Sequence, residues 1–214
     1  MKKRMYAIAV LPLLFAGCNK TDPSIANLTT TEAYYEGMDN WVGQDTEQDT
    51  VRAIALLERA AEPEKFNRPT VLGSLLGSLI GNPPPPEPGN PDAQRMLGQL
   101  YAFGQEVDMD RTRGIELYRR AAMQGDGASQ AALGIAYERG LGVTQNLPTA
   151  YAWFQMAVKQ NLNADGREGL RRIEPQMSEE EKVLGEKLFE ALCTEMGIEP
   201  PEARLSPDVN PYGI

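Results

Sequence analysis

The 214-residue chain contains no histidine and only two cysteines, Cys18 and Cys193. Without imidazole there is no general base for a Ser-His-Asp triad or a Cys-His dyad, and the commonest metal ligand is missing. Two cysteines cannot assemble a thiolate zinc cluster either. Basic side chains are scarce: 21 stand against 30 acidic ones, a net charge of −9. Residues 1–17 carry Lys2, Lys3 and Arg4 and no acid, so their removal leaves 18 against 30, or −12. A surface that acidic repels phosphate backbones, which excludes nucleic acid as a natural partner. If charge steers association, the partner is a protein surface that is neutral or basic. No serine is followed three residues later by lysine, and no glycine-rich phosphate loop precedes a helix. Carboxylates are plentiful, and a glycosidase needs only two. Yet Glu179, Glu180 and Glu181 fall in the first turn of a predicted helix, where the helix dipole accounts for them. No catalytic residue, metal or cofactor is expected, and a carboxylate-dependent cell-wall hydrolase is left as an alternative without positive support.

The N-terminus is read as an address. Lys2, Lys3 and Arg4 precede an apolar run from Met5 to Phe15, with the small residues Ala16 and Gly17 leading to Cys18. The run is too short for a permanent span and has the three-part layout of a secretory signal. Ending in Leu14-Phe15-Ala16-Gly17-Cys18, it resembles a bacterial lipoprotein signal, and that resemblance implies lipidation at Cys18 after removal of residues 1–17. An ordinary secreted protein cut nearby is the other reading. Acyl chains contribute about 0.8 kcal/mol per buried CH₂, so two or more hold a protein on a membrane. Asn19 in place of aspartate resembles the pattern sent to the outer membrane, which implies an envelope protein facing the periplasm. Residues 18–29, polar and interrupted by Pro23, read as a tether.

What organises the rest is a repeat. Leu97-Gly98 returns as Leu133-Gly134, Tyr101 as Tyr137, Gly104 as Gly140, Val107 as Val143, Asp110 as Asn146, Tyr118 as Phe154 and Ala121 as Ala157, all at a spacing of 36 residues. A period of that length is one helical hairpin. Ala93, Met96, Leu97, Leu100 and Tyr101 mark an apolar stripe on the first helix, Gly104 and Gly140 close the first helices, and Asp110 and Asn146 cap the second ones. Gly98 and Gly134 sit mid-helix, where glycine costs about 1 kcal/mol relative to alanine. Their return in register predicts a close helix crossing at each.

The pattern "LGxxYxxGxxV", an Asp or Asn cap, then "Axx[WL][YF]xxA[AV]" resembles the Sel-like repeat, a relative of the tetratricopeptide repeat. The resemblance is densest at Gly140–Val143 and Ala150–Val158; the second repeat departs at Gln105, Glu106 and Gly114. It implies an all-α fold, a right-handed α-α superhelix of stacked hairpins acting as a scaffold or adaptor for another protein. Some Sel-like lipoproteins are immunity partners of antibacterial effectors, which makes an inhibitor role the alternative within the binding class.

Around the clear repeats at 92–126 and 127–162 the chain predicts a degenerate repeat at 30–62. There Thr29 and Glu32 form a capping box, and a shift of 61 residues aligns Gly37 with Gly98 and Asp49 with Asp110. Since 61 is 36 plus 25, an insertion lies at 63–91. Its first part, Val71–Gly81, has glycine every fourth residue, and its second, Asn82–Gly89, is a polyproline spacer. Helices at 163–197 should cover the end of the array, the last opened by Ser178 with Glu181 and carrying Leu184, Leu188, Phe189, Leu192 and Met196 inward; Cys193 is expected as a small buried hydrophobe. A proline-rich tail occupies 198–214. The first helices usually line the binding face, and off their apolar stripe they offer Gln94, Arg95, Gln99 and Phe103, then Gln130, Ile135, Glu138 and Arg139 as candidate partner contacts. Phe103 is the aromatic exception, because the next repeat has Arg139 there.

Overall fold

A computed structural model describes Ile25 and residues 28–42, 50–63, 88–161 and 164–199. The signal segment at 1–17, Cys18, most of the tether, residues 64–87 of the insertion and the tail from residue 200 lie outside the described residues. Among the described residues there are eight α-helices and no strand. They are α1 (Thr30–Val42), α2 (Thr50–Ala61), α3 (Pro91–Phe103), α4 (Arg111–Met123), α5 (Gly127–Arg139), α6 (Leu147–Asn161), α7 (Ala164–Ile173) and α8 (Glu179–Glu195). None of them is long and apolar enough to cross a membrane.

Six of the helices, α1, α3, α4, α5, α6 and α8, start where a side chain accepts from an otherwise unpaired amide. Asn90, Asp110 and Asp126 accept from the amides of Ala93, Arg113 and Ser129, and Asn146 Oδ1 from Thr149 N at 2.9 Å. Thr29 with Glu32, and Ser178 with Glu181, close reciprocal capping boxes. At the other end, Gly104 and Gly140 take left-handed φ values of 67° and 69°, and their amides return to Leu100 O and Ala136 O. A side chain there would be strained, so glycine stops both first helices at the same register.

The helices pair as α1–α2, α3–α4 and α5–α6, and α2 and α4 each pack on the first helix of the next hairpin. All three hairpins cross at the predicted glycine. A Cβ on Gly37 would meet Leu57, one on Gly98 would meet the ring of Tyr118, and one on Gly134 the ring of Phe154. A residue twenty positions on is among the contacts at all three, joined at Gly37 by Leu56, so the worn first hairpin also crosses closely at its glycine. Gly169 of α7 reaches the Phe154 ring as well, which leaves that ring fully buried between two glycines.

The junctions between hairpins repeat bond for bond. Asp126 N donates to Ala121 O (3.1 Å), and Asn90 N donates to Ala60 O (2.8 Å). Gln130 Nε2 donates to Ala122 O (3.0 Å), and Gln94 Nε2 to Ala61 O (2.9 Å). The carbonyls are 61 residues apart and the donors 36 apart. The extra residues between Pro63 and Pro88 therefore leave the junction bonds unchanged. Arg59 holds the departing end at Pro63 O and the entry to α1 at Leu28 O.

At the far end α8 lies along α6, with Gly185 against Tyr151 and with Phe189 and Cys193 buried. One sequence expectation is corrected here. Leu184 is about half exposed and Val183 beside it likewise, because the inward stripe runs Gly185, Phe189, Cys193 in steps of four. A residue one position earlier is rotated by about 100° on the helix.

Candidate protein-interaction surface

The first helices carry one row of side chains that is less buried than their core stripe, although Met96, Ala132 and Ile135 in it touch the core. In register these are Tyr35, Met38 and Val42 on α1, Met96, Gln99 and Phe103 on α3, and Ala132, Ile135 and Arg139 on α5. Tyr35, Val42, Gln99, Phe103 and Arg139 are exposed, and the other four are half-buried. Phe103 is 65% exposed and Tyr35 63%, high values for rings that cost free energy to leave in water. Such aromatics are the usual anchors of protein contacts.

Of the candidate contacts named from sequence, Gln99, Phe103 and Arg139 stand on this row with open side chains, and Ile135 is half-buried. Arg95 is half-buried beside it, 2.8 Å from Asp92 and 3.5 Å from Asp126, which ties α3 to the cap of α5. Gln94, Gln130 and Glu138 do not belong to a contact surface. Gln94 and Gln130 are fully buried and occupied with the junction carbonyls, and Gln94 also bonds Pro88 O and accepts from Gln124 Nε2 at 2.8 Å. Glu138 is buried and accepts from Nε and Nη2 of Arg172 at 2.5 Å each, fastening α5 to α7. A helix in a stack meets its own partner on one side and the preceding hairpin on another, so a polar residue beside the apolar stripe is not thereby solvent-facing.

Sequence reasoning missed one charged link. Arg113 Nη2 lies 3.0 Å from Glu58 Oε1 and 3.1 Å from Glu62 Oε2, and its guanidinium stacks 4.1 Å over the Tyr101 ring. Tyr101 donates its hydroxyl to Glu58 at 2.9 Å; burial, and then the charge of Glu58, push its ionisation well above the usual phenol range. One repeat later Arg119, standing 61 residues after Glu58, donates to Tyr137 at 2.8 Å. The tyrosine returning every 36 residues was the available signal: its hydroxyl finds the same place on the preceding second helix. A surface depression of about 540 Å³ borders this link, lined among others by Glu62, Asp110, Arg113 and Glu116. Its carboxylates are engaged: Glu62 by Arg113, Asp110 by its capping bond, and Glu116 with Arg120 at 3.6 Å. No group of three or more Asp, Glu or Cys side chains placed to hold a metal occurs among the described residues.

Comparison with known proteins bears on the same helices. The Sel1 repeat model matches residues 40–62, 91–126 and 127–162. Among curated proteins, the mouse "DAP3-binding cell death enhancer 1" is 39% identical over 85 residues, and its rat counterpart is 36% identical. The matched stretch covers 40% of this chain and only 16% of the mouse protein. Among solved structures, a Sel1 repeat protein from Oxalobacter formigenes superposes with a TM-score of 0.53 at 27% identity, covering 70% of this chain and 91% of that one. The protective antigen c5321 of uropathogenic Escherichia coli, described as displaying an SLR fold, superposes at 0.50 and 23% identity over 78% of this chain and 38% of its own. The hairpins, their glycine crossings and these matches agree: the chain carries Sel1 repeats and is a Sel-like repeat protein.

Proposed function

We propose that the chain is a scaffold that holds another protein against the outward row of its first helices, and that an acylated Cys18 fixes it to the bacterial envelope. The observation that carries the binding role is the row itself. Val42, Phe103 and Arg139, in matching positions of three hairpins, stay in solvent, as do Tyr35 and Gln99 on the same row, although the fold gives their neighbours core positions. Sel1 repeats mediate protein–protein interaction, and the mouse relative is named for binding another protein. The carboxylates lining the depression beside Arg113 are engaged in ion pairs and caps, so the site favours contact over chemistry.

Two measurements in cells test the two halves. A photo-crosslinking side chain at Gln99 or Tyr35 should trap one discrete partner, and the same group at Lys187 on α8 should not. Equal trapping at all three positions, or none at Gln99 and Tyr35, contradicts the binding surface. Cys18→Ala should release the protein from the membrane fraction; retention there would contradict the anchor.

A further inference from the structure

The turn between α3 and α4 differs from its counterpart between α5 and α6 in a way packing does not require. In repeat three the sequence from Arg139 is Arg-Gly-Leu-Gly-Val-Thr-Gln-Asn; in repeat two, from Phe103, it is Phe-Gly-Gln-Glu-Val-Asp-Met-Asp. The two turns have one backbone course. Gly142 has φ of 75°, and its equivalent Glu106 has φ of 60°, the one non-glycine residue with positive φ among those described. A left-handed conformation disfavours any Cβ, so glutamate stands where glycine would fold more easily. The result is a projecting carboxylate beside two apolar side chains: Phe103 is 65% exposed, and Met109, close behind Gly104, is 57% exposed. Asp108 is exposed too, and neither Glu106 nor Asp108 forms an ion pair among the described residues. Residues 103–110 contain no basic side chain.

We infer that this turn is the specificity element of the binding surface: Phe103 and Met109 take an apolar side chain of the partner, and Glu106 and Asp108 take basic residues flanking it. The inference rests on the scaffold reading and sharpens it, naming the occupant as a protein segment with Lys or Arg around an aromatic or large aliphatic residue. Two features favour that occupant. An aliphatic or aromatic contact removes Phe103 and Met109 from water, and the carboxylates beside them, without an ion pair among the described residues, complement a cation and repel an acidic rival. Phe103 belongs both to the outward row and to the turn, so a segment laid along α3 would reach the carboxylates as it passes the end of that helix.

The test is a random-peptide display selection on the full chain, followed by anisotropy titration of one selected peptide, labelled with fluorescein, and of its counterpart with each Lys and Arg replaced by Glu. Selected peptides should carry basic residues around an aromatic or aliphatic one, and the acidic counterpart should not bind. Phe103→Ala should weaken binding about tenfold or more, the scale of a truncated anchor. Glu106→Gly should weaken it several-fold and at the same time raise the melting temperature, a pairing that a purely structural residue would not give. Peptides that bind but are acidic, or that ignore both substitutions and respond to Tyr35→Ala or Ile135→Ala instead, overturn the turn as specificity element while leaving the scaffold reading in place. Failure of any peptide to bind overturns it as well.

Discussion

Gly134→Ala is the smallest change that tests the helix crossings. In an isolated helix it would stabilise by about 1 kcal/mol, because alanine is the better helix former. In this fold the new methyl group would overlap Cδ1 and Cε1 of Phe154. The ring has no room to retreat, since a Cβ on Gly169 of α7 would already lie 2.5 Å from Phe154 Cε1, and Phe154 is fully buried. Overpacking of this kind costs about 1–3 kcal/mol, and with a ring pinned on both sides the upper end applies, so the net loss after the propensity gain is about 2 kcal/mol. For a domain of this size that lowers the melting temperature by about 4–8 °C. Gly98→Ala is the internal comparison: its Cβ would lie 3.0 Å from Tyr118 Cδ1 and 3.2 Å from Gly114 O, contacts that a small shift of the ring and of the facing helix relieves. The two effects then nearly cancel, and the change stays within about 1 kcal/mol. Thermal unfolding by circular dichroism measures both, and Phe154→Leu should absorb much of the Gly134→Ala loss in a double-mutant cycle. A Gly134→Ala protein as stable as its parent would refute the crossing argument.

Other outcomes follow from single groups. Gln130→Met should cost about 1 kcal/mol in denaturant unfolding, since Ala122 O keeps the amide of Gly125 as a donor when the side-chain bond is lost; no loss would mean the junction bond contributes nothing. Burial pushes the Tyr118 phenol up to about 12 against the opposing charge of Arg95, whereas an unfolded tyrosine ionises near 10. The folded state therefore holds that proton more tightly, and the stability it contributes is complete below pH 10 and lost as pH rises through 12. Tyr118→Phe should flatten stability against pH in that window, and an unchanged slope would contradict the assignment. Burial also raises the Cys193 thiol, with Glu190 adding to it and Lys159 opposing, so a thiol reagent at mildly alkaline pH should label Cys193 only after denaturant is added. Rapid labelling of the folded chain would show that α8 does not cover it.

The local features were legible because they are written in residues with one physical use. Glycine at 104 and 140 ends a helix, Asp110, Asn146 and Ser178 open one, and Gly37, Gly98 and Gly134 mark where two helices touch; each expectation met its counterpart in the coordinates. The contact surface was only partly legible. A single apolar stripe treats each helix as having one buried side, and α3 and α5 have two. The last carbonyls of α2 and α4 need donors when another hairpin is stacked on them, and glutamine reaches them, which is why Gln94 and Gln130 went inside. Glu138 went inside because its arginine, 34 residues away on α7, leaves no local trace. Phe103 could be singled out from sequence as an odd residue in its repeat, but its exposure depended on which way α3 is turned.

The central claim is that the hairpins form one array whose junctions ignore the inserted segment, and a deletion tests it directly. Removing residues 64–88 joins Pro63 to Gly89, giving a junction of the same length as Ala122–Gly127 between the next two hairpins. The protein should keep its helical signal and unfold in one cooperative transition, with α1 and α2 protected from amide exchange as in the parent. Loss of protection in Thr30–Ala61, or a second transition at lower temperature, would show that the first hairpin is not part of the stack.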